Sequence, residues 1–230
     1  MAPLERLALL SIVFFAIHAL VSGTRLRTTL VRALGERAFR GLFALASLVS
    51  LGALWLAYRS APCAPLWVLP RAFGWFPLLV VPFALFFVAG AFSTPNPTAI
   101  GGERALERGE PARGILRITR HPFLWGVILW SSAHLLVLGG AASLWFFGSL
   151  WLTAALGTRS IDRKRAASQG DAWQSYRSVT SNLPFAAIFG GRNRLQLREL
   201  RLPAVIAAVL TAALLASHRW LFDVSPFPDY

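Results

Sequence analysis

Six stretches of this chain are apolar for long enough to cross a bilayer, and nothing else in it constrains the fold as tightly. The hydrocarbon core is ~30 Å thick and a helix rises ~1.5 Å per residue, so a crossing takes roughly 20 apolar residues. The stretches run over about 4–21, 42–57, 75–92, 123–138, 141–156 and 203–221. With 56% hydrophobic residues, 14% charged residues and a mean hydropathy of +0.56, the chain is too apolar to carry the polar coat of a soluble domain. The spacing predicts an all-α, polytopic transmembrane helical bundle of about six spans, forming a single integral membrane domain over 1–230.

The net charge of +13 is distributed unevenly. The connections 22–41, 93–122 and 157–202 hold 5, 5 and 9 Arg or Lys residues, 19 of the chain's 23, leaving Arg6, Arg59, Arg71 and Arg219 elsewhere. Basic residues concentrate on the cytoplasmic side of membrane proteins, so these connections are expected there, facing anionic lipid heads in a bacterial inner membrane. No nucleic-acid partner is implied. The single cysteine, Cys63, excludes an internal disulfide and any multi-thiolate metal site. The first span resembles a signal peptide, but five further spans favour a retained helix.

The stretch 115–138, ILRITRHPFLWGVILWSSAHLLVL, organises the rest. Arg113, Arg117 and Arg120 form its basic edge, and Pro122 suits a first helical position because its φ is pre-set. An imidazole at His134, well inside the span, is costly in lipid without a partner or a task. Before it, the prolines around Asn96 and the pair Gly101-Gly102 predict an ordered turn. The acidic residues Glu103, Glu107 and Glu110 alternate with Arg104 and Arg108 as in a solvated helix face. The segment 25–40 alternates leucine or phenylalanine with arginine, as an interfacial amphipathic helix does. Trp173 and Tyr176, set among arginines, read as a surface helix at the headgroup level.

The four histidines are His18, His121, His134 and His218, and apart from Glu5 at the start of the first, no span contains an acidic residue. Imidazoles without carboxylates do not make a di-iron or catalytic zinc site. Two imidazoles on facing helices suit a bis-histidine haem; a hydrogen-bonded structural histidine and a proton relay are the other readings open to each ring. His121 and His134 are 13 residues apart in sequence, ~20 Å along one helix, so they cannot share an iron. His18 is the other histidine clearly inside a span, though helix arithmetic puts it nearer the depth of His121 than that of His134.

Several motifs together carry a family resemblance. They are His18-x3-Ser22, Leu34-Gly35-Glu36…Phe39-Arg40-Gly41, Asn96-Pro97, Gly114…Arg117-Ile118-Thr119-Arg120-His121-Pro122, Trp130…Ala133-His134, Asp162-Arg163, Thr180-Ser181…Pro184-Phe185-Ala186-Ala187 and Ser225-Pro226. In these the chain is similar to the NnrU family of membrane proteins, which includes the 15-cis-zeta-carotene isomerases. The resemblance implies haem b, its iron held by His18 and His134, in a redox-gated cis–trans isomerase of a zeta-carotene-like polyene fed by an electron donor of unknown identity. His121, Arg120 and Arg117 would then form a supporting shell meeting the propionates. A second reading is an accessory membrane protein of nitrite and nitric-oxide reduction, handling haem or electrons without catalysis. Membrane methyltransferases of the isoprenylcysteine type also resemble the Arg120-His121-Pro122 helix start, which would imply S-adenosylmethionine; they carry paired glutamates where this chain has Asp162-Arg163.

Overall fold

The computed structural model describes residues 1–21, 25–107 and 112–228. Ser22, Arg108 and Glu110, each part of a motif above, lie outside the described residues. Described are helices α1 (Pro3–Ala16), α2 (Arg25–Leu34), α3 (Glu36–Arg59), α4 (Phe76–Ser93), α5 (Pro122–Leu138), α6 (Ala141–Val179), the single turn α7 (Ala186–Phe189) and α8 (Arg201–Phe222). The fold is all-α; among the described residues the sole β feature is an isolated bridge between Pro65 and Gly140.

Among the described residues, five helical segments are long and apolar enough to span a bilayer: Pro3–Val21, Glu36–Arg59, Arg71–Ser93, Ala141–Val179 and Leu197–Phe222. The expected span over 123–138 is α5, apolar but shorter at 17 residues. Two boundaries differ from expectation. The basic segment after the first span is interrupted at Gly35, whose φ of 80° breaks the helix, so α3 begins with Glu36, Arg37 and Arg40 already helical. And α6 does not stop near 156: helical backbone continues through the charged run Arg159–Arg165 as far as a kink at Gly170. Only its first half is apolar.

The chain divides into two compact units. Unit 1 comprises Met1–Pro70 and His134–Gly157. Here α1 packs on α3, and Arg6 donates to Ser60 Oγ at the far end. The first span ends in a π-helical turn, Ile17–Val21, which contains His18. An aromatic cluster joins α3 to the start of α6. Tyr58 stacks on Phe146 at 4.7 Å, Trp55 lies 5.9 Å from Phe146, and Phe147 meets Tyr58 edge-on at 5.7 Å. The proline-rich loop 60–70 is tied down by Trp67 Nε1 donating to the Leu136 carbonyl at 2.9 Å.

Unit 2 comprises Arg71–Ala133 and Thr158–Tyr230. Here α4 packs along α8. Between lipid-embedded helices there is little hydrophobic driving force, so close approach of small residues carries the packing. Gly126 of α5 shows it: a Cβ there would lie 2.8 Å from the Ala84 carbonyl oxygen and 2.6 Å from a Val88 methyl. Beneath these helices Phe87, Ile115, Leu116, Ile118 and Leu200 form a buried cluster.

Candidate functional site

The connection from Ile118 to His121 is stitched to the segment 180–185. Arg120 N donates to the Ser181 carbonyl (2.9 Å), Phe185 N to the Ile118 carbonyl (2.8 Å), and the Thr119 hydroxyl to the Asn182 carbonyl (2.6 Å). Trp125 Nε1 donates to that carbonyl as well, at 2.8 Å. The Asn96 turn supports the other side: Thr98 N donates to Asn96 Oδ1 at 2.9 Å, and the Thr98 hydroxyl lies 2.8 Å from the Arg120 carbonyl.

This framework directs Arg120 and His121 inward onto one carboxylate. Arg120 Nε lies 2.9 Å from Asp162 Oδ1, its Nη2 2.5 Å from Oδ2, and His121 Nε2 2.7 Å from Oδ1. Arg120 is 6% exposed and His121 1%. Two-pronged guanidinium–carboxylate pairing satisfies both ions, which is what permits them to be buried. Burial presses the His121 pKa below its ordinary value, against the opposing pull of the Asp162 hydrogen bond and charge. A neutral His121 therefore keeps its proton on Nε2, donating to Asp162, and presents Nδ1 as a lone pair.

What closes this cluster is Gly170. Its φ of 48° and ψ of −126° break α6 and turn the chain back. Were α6 straight, residue 180 would lie ~33 Å beyond residue 158. Instead Asn182 Nδ2 donates to Thr158 Oγ1 at 2.9 Å, and the Arg120 guanidinium, paired with Asp162, also points toward the Thr180 carbonyl at 3.5 Å. The reversal buries Trp173 and Tyr176 completely, so they are core residues and not an interfacial helix face.

Three charged residues find their partners far along the sequence. Arg120 has its counter-ion within the protein, in Asp162. Arg117 is likewise engaged: its Nε and Nη2 lie 2.9 and 3.1 Å from the two oxygens of Glu199. Glu103 pairs with Arg165 at 2.5 Å, across 62 residues of sequence. Asp162 itself was legible as a lone acid in the basic run Arg159–Arg165, directly after an apolar stretch. Its partners were not.

The remaining histidines lie elsewhere. His18 Nδ1 is 2.7 Å from the Phe14 carbonyl, and its ring sits 4.3 Å from Phe14 and 5.6 Å from Phe43. Donation from Nδ1 leaves Nε2 as the lone-pair nitrogen, the arrangement that orients a metal-ligating imidazole. His134 stacks on Phe147 at 5.1 Å with 16° between the rings. Phe147 in turn meets Tyr58, so the two histidines associate with α3 near Phe43 and near Tyr58, fifteen residues or ~22 Å apart along that helix. The lone-pair nitrogen of His18 could serve as a ligand to a haem iron; the structure does not bring His134 to the same level of α3. His218 is half-buried, with Nδ1 2.9 Å from the Val224 carbonyl, and holds the segment that follows α8. Cys63 is an exposed free thiol. Among the described residues no group of three or more His, Cys, Asp or Glu could hold a metal ion.

Helices that can span a bilayer, with a buried Arg–Asp–His cluster at the end of one apolar run, define a polytopic helical membrane protein. The family model described as NnrU protein matches residues 6–226. The chain belongs to the NnrU family. It is 30% identical over 222 residues to the chloroplastic 15-cis-zeta-carotene isomerase of Zea mays, covering 91% of this chain and 58% of that protein. To the enzyme of the same name from Arabidopsis thaliana it is 32% identical over 230 residues, covering 94% of this chain and 60% of the relative. The chain thus spans about three-fifths of the length of these relatives. No solved structure matches.

Proposed function

We propose that this protein is a membrane-embedded cis–trans isomerase of a polyene of the zeta-carotene type. The observation that carries this reading is similarity over more than nine-tenths of the chain to two enzymes named for that reaction. The fold suits such a substrate. A long hydrocarbon partitions into lipid, and the helices expose large apolar side chains to it, among them Leu45, Leu48 and Val49 of α3 and Val205 and Val209 of α8. In unit 1 the rings of Trp55, Tyr58, Phe146, Phe147 and His134 make an aromatic surface against which a planar conjugated chain can stack.

Haem b is the cofactor we propose, with His18 as a ligand; the family resemblance implies His134 as the second, which in this fold meets α3 ~22 Å from His18. When bound, haem would supply the electron density that weakens a double bond; of this chain's residues, the Phe14 carbonyl orients His18. A bacterial inner-membrane location, with the basic connections cytoplasmic, completes the proposal.

Expression in cells lacking zeta-carotene isomerase tests the activity: the tri-cis isomer should convert to the di-cis isomer. No conversion, with loss of nitrite or nitric-oxide reduction on deletion in the native host, would replace the proposal by the accessory reading. Absorption spectra of purified protein, oxidised and reduced, test the cofactor separately. The His18→Ala protein should lose or shift the Soret band; a His134→Ala spectrum like that of the parent would remove His134 as a ligand.

A further inference from the structure

The stretch 183–201 joins the returning arm of α6 to the last apolar span, and both its ends are fixed where apolar sequence gives way to charge. Just before it, Asn182 Nδ2 donates to Thr158 Oγ1 at 2.9 Å. Thr158 follows the apolar first half of α6 and immediately precedes Arg159, so this bond sets the start of the stretch at the edge of the apolar run. The Phe185 N bond to the Ile118 carbonyl repeats the placement on α5, whose apolar run opens at Pro122. Toward its other end, Leu197 is the first residue of the span Leu197–Phe222. In between, the chain makes the single turn α7 and turns again at Gly191, whose φ is 68°.

Its outward side chains are of two kinds. Leu183, Phe189, Leu195 and Leu197 are exposed, Phe189 at 86% and Leu197 at 71%. Large apolar side chains exposed this closely in sequence mark a surface that something apolar covers. Arg194, Arg198 and Arg201 are exposed among them. The other two charged residues of the stretch are engaged within the fold. Arg192 Nη1 donates to the Ser178 and Thr180 carbonyls at 3.0 and 2.8 Å, and Glu199 accepts from Arg117 and from Gly114 N. Glu199 is the sole acid in 183–201, so the charge this stretch turns outward is positive.

We propose that 183–201 is an in-plane membrane anchor: Leu183, Phe189, Leu195 and Leu197 enter the acyl-chain boundary, and Arg194, Arg198 and Arg201 pair with the phosphates of anionic phospholipids. Apolar side chains interleaved with cations are what an interfacial segment requires. The apolar area sets its depth, and the charge sets its preference for anionic headgroups. An acidic protein could also meet the arginines. Lipid is favoured because Leu197 already opens a span, so the bilayer reaches this stretch without any further partner. The anchor uses neither His18 nor His134 and does not depend on the proposed isomerase activity.

The test uses the full-length protein with Cys63→Ser and one new cysteine, in nanodiscs of phosphatidylcholine and phosphatidylglycerol. Nitroxide labels on Phe189→Cys and, separately, Leu197→Cys should collide with oxygen, which concentrates in lipid, more than with a water-soluble nickel chelate. A label on Asp171→Cys, beside the reversal of α6, is the water reference. In native mass spectrometry the parent protein should retain phosphatidylglycerol over phosphatidylcholine. Arg194→Gln, Arg198→Gln and Arg201→Gln together should weaken that preference by about fivefold per arginine. The depth measurement keeps all three arginines, so it decides even if the triple variant does not fold. Labels at 189 and 197 that the nickel chelate reaches more readily than oxygen would place this surface in water, as a protein-docking face would be, and overturn the proposal. A lipid preference indifferent to the three substitutions would overturn it as well.

Discussion

Asp162 is the residue on which unit 2 turns, because two cationic or potentially cationic groups converge on it. Removing one member of a buried ion pair is costlier than never having built it, since the survivor keeps its desolvation penalty without its partner. Asp162→Ala should therefore destabilise the folded protein by about 3–5 kcal/mol, nearer the lower figure because the carboxylate is 19% exposed. Asp162→Asn, which keeps an acceptor for Arg120 and His121, should cost less. Denaturant unfolding in detergent distinguishes them; equal losses would show that the carboxylate charge is not what matters. His121 adds a pH dependence of definite sign. Its pKa is lowered in the fold from the ordinary value near 6.5, so the unfolded chain takes up a proton that the folded one resists. Its contribution is fully present above about pH 6.5 and declines as the pH falls below it. His121→Gln should flatten this part of the stability curve.

At the scale of elements, the helices of unit 2 approach through small residues and reverse through one glycine. Gly126 lies against the Ala84 carbonyl, a rigid neighbour, so a larger side chain forces α4 and α5 apart. Gly126→Leu should cost about 1–3 kcal/mol, read as a lowered unfolding midpoint, while a leucine at the open Gly41 should not. Gly170 works differently. Nothing crowds it, but its backbone conformation is one that an L side chain adopts only with strain. Without that reversal α6 would carry Trp173, Tyr176 and Thr180 away from Asp162.

For the whole molecule, sidedness can be tested with the one cysteine. Cys63 is exposed in the loop between α3 and α4 and is the chain's sole thiol. If the basic connections face the cytoplasm, a membrane-impermeant maleimide should label Cys63 in intact spheroplasts without permeabilisation. Labelling only after lysis would reverse the orientation.

Hydropathy is a property each residue carries alone and adds along the chain, which is why the apolar runs, the helix start at Pro122 and the basic connections were all legible from one sequence. The family motifs were legible for the same reason, being local strings. Pairing is not local. Arg117, Arg120 and Glu103 looked like solvated or lipid-facing charges because their counter-ions, Glu199, Asp162 and Arg165, lie 82, 42 and 62 residues away. Trp173 and Tyr176 looked interfacial because only the reversal at Gly170 buries them. Composition along the chain determined that this protein lives in a membrane; the tertiary structure decided which charges meet inside it, because burying a charge depends on a partner that only folding brings within reach.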